Sequence, residues 1–252
     1  MIGHFLSDRG KVRSHNEDSG GVFFNDAGQL LAIIADGMGG HQAGDVASEM
    51  ATTFIEEKWQ QKDSFSSPEQ VEEWLGQVIE EVNDTIYKHS LEKEECQGMG
   101  TTLVAAVCTS EYITVAHIGD SRCYLYDQNE FKQLTEDHSL VNALVQSGQI
   151  TKEEANHHPR KNVVLKALGT EASVESDIQT ISWEEGDKLL LCSDGLTDKV
   201  LDDEILEYLK DVTQGIEEIG QQLVDLANDR GGEDNVSLII VKHEMSVKVG
   251  EN

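Results

Sequence analysis

Positive charge is scarce in this chain: 19 lysines and arginines face 48 aspartates and glutamates, for a formal charge of −29. The long-range field therefore repels nucleic acid and anionic membrane surfaces, and neither is expected as a partner. Cysteine is scarce as well. Cys96, Cys108, Cys123 and Cys192 form no C-x-x-C pair and have no histidine at zinc-ligand spacing, which argues against a structural zinc site. None is followed six residues later by arginine, so the C-x5-R arrangement of thiol-dependent phosphatases is missing. Three of the four stand in or beside apolar runs and read as reduced, buried, inert thiols. Long hydrophobic runs are absent: Leu30 to Ala35 spans six residues, against about 18 for a membrane-spanning helix. The opening MIGHFLSDRGKVR has no secretory apolar stretch. A soluble, reducing, cytoplasmic setting is the expectation. Only two prolines occur in 252 residues, and no repeat or low-complexity tract marks a linker. One large layered domain over residues 1–244 with a short solvated tail at 245–252 is expected.

What is present is a set of short β-branched runs: Leu30–Ala35, Leu103–Cys108, Ile113–Ile118, Leu189–Cys192 and Val236–Val241. Each reads as a buried strand. Between them lie segments of helical period. The clearest runs from Pro68 to about Ser90, with Val71, Trp74, Leu75, Val78, Ile79, Val82 and Ile86 on one stripe. Ser67, Pro68 and Gln70 supply an N-cap, a first-turn proline and the far half of a capping box. Further helices fit Asp45–Trp59, Asp203–Lys210 and Ile216–Asn228. Strands and helices come in blocks and several strand runs are joined by short turns, so an α+β layered sandwich of antiparallel sheets covered by helices is predicted.

The chemistry is carried by carboxylates set beside the apolar runs. Asp36 follows LLAIIA, Asp120 follows ITVAHIG, Asp194 follows LLLCS, Asp234 precedes NVSLIIV, and Glu17 and Asp18 precede GGVFF. A single Asp-Gly after a strand is usually an ordinary turn; here the number matters. Carboxylates converging on one sheet margin repel each other and lose solvation beside a core, so something positive must offset them. The DGMGGH, CSDGLTD and GGEDN stretches hold no lysine or arginine, although Lys199 directly follows the second. Bound cations are the economical answer, and oxygen ligands select Mg²⁺, Mn²⁺ or Ca²⁺. No EF-hand loop is present. Gly39 and Gly44 have P-loop spacing, but Asp45 and Val46 follow where Lys and Ser/Thr are needed, which excludes that phosphate cradle. Gly37 reads instead as backbone that approaches an ion closely.

RSHNED at 13–18, ADGMGGHQAGDVAS at 35–48, GMGTT at 98–102, HIGDSRCY at 117–124, TEDHS at 135–139, CSDGLTD at 192–198 and GGEDN at 231–235 occur in this order over about the whole chain. Together they resemble the metal-dependent protein phosphatases of the 2C type, nearest to the stand-alone bacterial PrpC or Stp members. The resemblance implies a four-layer αββα sandwich, two antiparallel sheets flanked by pairs of helices, with a dinuclear Mn²⁺ or Mg²⁺ centre at one end. It implies that Asp36 bridges both ions, that the Gly37 carbonyl binds the first, and that Asp194 and Asp234 bind the second. Glu17 and Asp18 would act at the first ion through its waters, Asp120 would help hold a third, weaker ion, and Arg13 would grip the phosphoryl oxygens. The implied reaction is hydrolysis of phosphoserine and phosphothreonine in proteins by a metal-bridging hydroxide. The implied partners are phosphoprotein substrates and a serine/threonine kinase with its targets, met by a monomeric enzyme.

One position departs from the family. Where eukaryotic relatives carry histidine after the Asp-Gly, this chain has Met38, and the nearest histidine is His41. His41, a metal-bound water and bulk solvent are all open as sources of the leaving-group proton. His138, His157 and His158 read as structural or exposed. The competing functions are a non-catalytic module on the same fold and a hydrolase of another phosphoester. Substrate choice is expected to involve residues 140–162, which read as helix, a break at Gly148, then a Thr151/Glu154 capping box.

Overall fold

The computed structural model describes residues 1–40, 43–127 and 130–244; His41 and the expected tail at 245–252 lie outside the described residues. The strands are β1 (Ile2–Asp8), β2 (Asp18–Phe24), β3 (Leu30–Met38), β4 (Gly100–Thr101), β5 (Leu103–Cys108), β6 (Tyr112–Ile118), β7 (Arg122–Tyr126), β8 (Phe131–Gln133), β9 (Asp177–Ser182), β10 (Lys188–Cys192) and β11 (Val236–Lys242). The helices are α1 (Ala43–Gln60), α2 (Pro68–Glu92), α3 (Leu140–Gln146), α4 (Lys152–Asn156), α5 (Asp194–Thr197), α6 (Asp202–Lys210) and α7 (Ile216–Asp229). One sheet has the order β1-β11-β10-β7-β8, the other β2-β3-β5-β6-β9, with β4 paired to the far end of β3. The pairings are antiparallel.

Side chains alternate across a strand, so an unbroken apolar run needs cover on both faces. β3 shows this directly. Leu31, Ile33 and Ala35 pack with α1 and α2 residues such as Ala47, Ile55, Leu75 and Ile79. Leu30, Ala32 and Ile34 point the other way and meet Leu189, Leu191, Ile239 and Val241 of the facing sheet. That second sheet turns Leu190, Leu238 and Ile240 outward onto Ile205, Leu209, Leu223 and Val224 of α6 and α7. Three apolar layers between four structural layers give the αββα sandwich. Both Ile33 and Ile34 are fully buried, and truncating either to alanine would cost about 2–5 kcal/mol. All four cysteines are buried and free, and burial pushes the Cys192 thiol up to about 12.

Two local expectations are corrected. The Ser67 side chain does not cap α2. Gln70 Oε1 reaches one residue further out, accepting from the Ser66 amide and hydroxyl at 3.1 Å each, while Ser67 hydrogen-bonds the Glu69 carboxylate. The second concerns Asp36 and Gly37. They do not follow β3 but lie within it, because β4 pairs Thr101 with Gly37 and Gly100 with Met38 and carries the ladder past the Asp-Gly. Residues 140–162 fold as predicted: α3 opens the segment with Ser139 as its cap, Gly148 adopts φ +70, and the Thr151/Glu154 capping box is complete. α3 buries none of its residues. Among the described residues no helix is long and apolar enough to cross a membrane.

Candidate active site

Five chain segments deliver carboxylates to one margin of the sandwich. Pairing of β2 with β3 sets Asp18 directly across from Asp36. Asp120 sits in the β6–β7 turn, which Gly119 makes possible at φ +103. Asp194 opens α5 as β10 ends, and Asp234 stands two residues before β11, the hydrogen-bonded neighbour of β10. Glu17 immediately precedes β2. Gly37 has no room for a side chain, since a Cβ there would stand 2.1 Å from the Gly44 carbonyl oxygen and 2.6 Å from that of Glu17. At this position glycine is required by close backbone approach, and its amide donates to the Glu17 carbonyl at 3.1 Å.

A layer of hydroxyls and amides holds the carboxylate-bearing backbone. The Asp36 amide donates to Thr102 Oγ1 at 3.0 Å, and the Asp36 carbonyl accepts from the Thr101 hydroxyl and the Thr102 amide. Thr102 in turn meets the Ser121 hydroxyl at 2.7 Å, tying β3 to the Asp120 turn. Ser193 donates to Asp18 Oδ2 at 2.9 Å and accepts from the Ser237 amide, so it joins Asp18 to the other sheet. Asn235 accepts from the Glu17 amide and donates to the Arg9 and His15 carbonyls, which pins the loop that carries Arg13. Arg13 extends from that loop to Asp234 Oδ2 at 2.7 Å and Glu17 Oε2 at 3.7 Å.

The acids answer their setting. Burial first, then Asp18, Asp194, Asp120 and Asp234, push the Asp36 carboxyl well above the usual carboxylate range. Burial, then Asp120, Asp198, Asp234 and Asp18, do the same to Asp194. Burial raises Asp18 and Asp120 to about 6 each, with Asp234 adding to the first and Asp137 to the second. Glu17 is raised by burial, against the pull of Arg13. Burial lowers the Arg13 pKa, but Asp234 and Glu17 outweigh it and leave the guanidinium above its ordinary value. Burial and mutual repulsion together suit these carboxylates to a positively charged ligand. Asp18 Oδ1 is buried without any hydrogen-bond partner, an oxygen that a hard cation would satisfy. The donors are all oxygens, so the cluster fits Mn²⁺ or Mg²⁺ and not a soft metal.

The model of the family described as protein phosphatase 2C matches residues 9–227. The chain is 46% identical over 248 residues to the serine/threonine phosphatase stp of Listeria monocytogenes, covering 98% of each. The crystal structure of serine/threonine phosphatase Stp1 from Staphylococcus aureus superposes with a TM-score of 0.91 at 40% identity, over 96% of this chain and 95% of that one. The chain belongs to the protein phosphatase 2C family. Within it the chain is of the bacterial PrpC/Stp type, and it is a metal-dependent protein-serine/threonine phosphatase. A further structure, the catalytic domain of the phosphatase PstP in complex with two manganese ions, matches with a TM-score of 0.84 at 35% identity, over 96% and 97% of the two chains.

Arg13, Glu17, Asp18, Asp36, Gly37, Asp120, Asp194 and Asp234 of this phosphatase thus lie at one margin of the sandwich. His41 lies outside the described residues. Other contributors went unread in the sequence. Asp198, one helical turn after Asp194, adds to the charge felt by both Asp194 and Asp120; its i+4 spacing was the available signal. Lys161 of the 140–162 segment pairs with Asp198. Arg122 grips Asp137 through Nε and Nη2 at 2.7–3.1 Å behind Asp120, a pairing that no local pattern announces.

Proposed function

We propose that residues 1–244 form one catalytic domain that removes phosphate from phosphoserine and phosphothreonine in proteins, using two Mn²⁺ or Mg²⁺ ions and a weaker third. Asp36 would serve both main ions, Gly37 the first, and Asp194 and Asp234 the second, with Glu17 and Asp18 acting at the first and Asp120 at the third. The observation that carries this reading is the convergence of Asp18, Asp36, Asp120 and Asp194, all with raised pKa, around an unpartnered Asp18 oxygen. A dinuclear reading also has support in the relative whose title records two manganese ions. Cations held there by these carboxylates would supply Lewis acidity, lowering the pKa of water enough to provide a nucleophile near neutral pH.

The protein's own groups do the rest. Arg13 is half-exposed at the mouth of the cluster, and its paired donors match two phosphoryl oxygens, binding the substrate and stabilising charge that builds in the transition state. His41 is the candidate side-chain donor of the leaving-group proton. Residues 140–162, whose helix α3 buries none of its side chains, serve substrate selection. The phosphatase works as a cytoplasmic monomer against the products of a serine/threonine kinase. Anomalous scattering from a crystal soaked in Mn²⁺ tests the centre: two strong peaks touching Asp36 are expected, and a peak pattern that avoids Asp36 refutes the assignment. For His41, His41→Ala should slow phosphopeptide hydrolysis while sparing p-nitrophenyl phosphate, whose leaving group departs without a proton. Equal effects on both substrates would exclude it.

A further inference from the structure

The TEDHS stretch at 135–139 supplies no ligand to the carboxylate cluster, yet it is bonded to the Asp120 turn along its length. Thr135 Oγ1 accepts from the Cys123 amide at 3.0 Å. The Glu136 carbonyl accepts from His117 Nε2 at 2.9 Å, and the Asp137 carboxylate takes the Arg122 guanidinium. His138 bonds Gly119 twice. Its amide donates to the Gly119 carbonyl at 2.9 Å, and its Nδ1 accepts from the Gly119 amide at 3.2 Å. A neutral imidazole has one lone pair, so the N–H is on Nε2, where it faces Asp177 Oδ2 at 3.5 Å. Stacking on His117, with centroids 4.7 Å apart and planes within 15°, fixes the ring further.

His138 is also the root of the 140–162 segment. Its carbonyl accepts from the Leu165 amide at 2.7 Å, and the Leu140 amide donates to the Val163 carbonyl at 2.8 Å. Between these bonds Ser139 pairs antiparallel with Val164. The two ends of the segment therefore close in a stem, and His138 joins that stem to Gly119. On its other side the turn is braced by the centre itself. A Cβ on Gly119 would stand 2.7 Å from Thr102, and the Thr102 hydroxyl meets both Ser121 and the Asp36 amide.

We propose that His138 is a positioning residue for the phosphatase reaction: from the stem of the 140–162 segment it sets the Gly119–Asp120 turn, and through that turn the affinity for the third ion. It bonds Gly119 and touches none of the carboxylates of the cluster. A buried amide that loses its acceptor seeks another partner or water, and the peptide unit before Asp120 shifts as it does so. Mg²⁺ demands near-ideal octahedral geometry, so a displaced Asp120 carboxylate weakens binding even though the ligand is still present. The link to the third ion rests on the role given to Asp120 above; the hold on the turn does not.

Two variants separate the acceptor from the bulk of the ring. His138→Leu fills much of the same space without an acceptor, whereas His138→Asn places an amide oxygen close to the position of Nδ1. Hydrogen exchange of residues 117–123 in metal-free protein reads the turn, and phosphopeptide turnover titrated with Mn²⁺, with Asp120→Ala alongside, reads the third ion. His138→Leu should exchange faster at 117–123 than the wild type, with α7 and β11 unchanged, and should need about 10- to 100-fold more Mn²⁺ for the weak phase, while calorimetry finds the two tight ions intact. His138→Asn should stay close to wild type in both. Unchanged exchange at 117–123 in His138→Leu overturns the positioning role, as does faster exchange spread over the whole chain, which would make His138 a residue of general stability. If His138→Leu does not fold, His138→Asn decides: a turn as protected as in the wild type supports the role of the acceptor, and a loosened turn overturns it. Faster exchange at the turn with an unchanged weak phase overturns the link to the third ion. A weak phase that persists in Asp120→Ala removes the third-ion reading itself, and the exchange comparison then decides the positioning role alone.

Discussion

Asp36 and Glu204 are both carboxylates, yet the fold drives them in opposite directions. Glu204, on the surface of α6, takes two 2.6 Å bonds from Arg230 and is pushed down to about 2. Asp36 is pushed well above the usual range by burial and by four neighbouring aspartates. A carboxylate whose partner is supplied by the chain is a structural group; one that is buried and whose strongest neighbours share its sign suits a cation ligand. Raised pKa values cluster at functional positions for this reason.

The most severe way to break the comparison is Asp36→Asn. It should lower turnover on the order of 10²–10³-fold at saturating metal while raising the thermal midpoint of metal-free protein, because it removes one of the mutually repelling acids. Near-normal turnover would end the bridging assignment. Arg13→Ala should lower kcat/KM for phosphopeptides about 10²-fold with Mn²⁺ affinity by calorimetry unchanged or tighter, since Asp234 loses a competing cation. Loss of metal binding with normal kinetics at saturating metal would place Arg13 in the scaffold instead. Asp120→Ala should keep the two main ions but remove the rise in rate at high metal concentration; an identical weak phase in both proteins would eliminate the third-ion role.

pH sharpens the same contrast. Asp18 and Asp120 have folded pKa values of about 6, above an unfolded value near 3.9. Between those limits the folded state holds more protons than the unfolded one, so stability of metal-free protein falls as pH rises. Moving from pH 7.5 to 5.5 should raise its midpoint by roughly 4 °C or more, and saturating Mn²⁺ should flatten or reverse the trend. A metal-free midpoint that drops over this interval would contradict the raised values. The smallest effect belongs to the surface: Glu204→Gln should lower the midpoint by at most about 2 °C and leave turnover unchanged.

Much of this was legible in the sequence. The five apolar runs became central strands because burial on both faces leaves no alternative to apolar residues. β1, β7 and β9 were not read, since their half-exposed patterns lack such a run. The Ser67 cap went wrong by one residue because several polar side chains compete for the same helix start. Asp36, Asp120, Asp194 and Asp234 stood out through their position beside strands, whereas Arg122, Asp137 and Lys161 act through partners 15 to 37 residues away.

The sequence by itself determined the layered fold, the oxygen character of the centre and the absence of a C-x5-R cysteine nucleophile, because these follow from residue type and local period. Tertiary structure alone decided which aspartates are pushed up while Glu204 is pushed down, and that Arg122 meets Asp137 and Lys161 meets Asp198. Those properties depend on burial and on neighbours brought from distant parts of the chain, and identical residues acquire different chemistry only once the sheets have closed on each other.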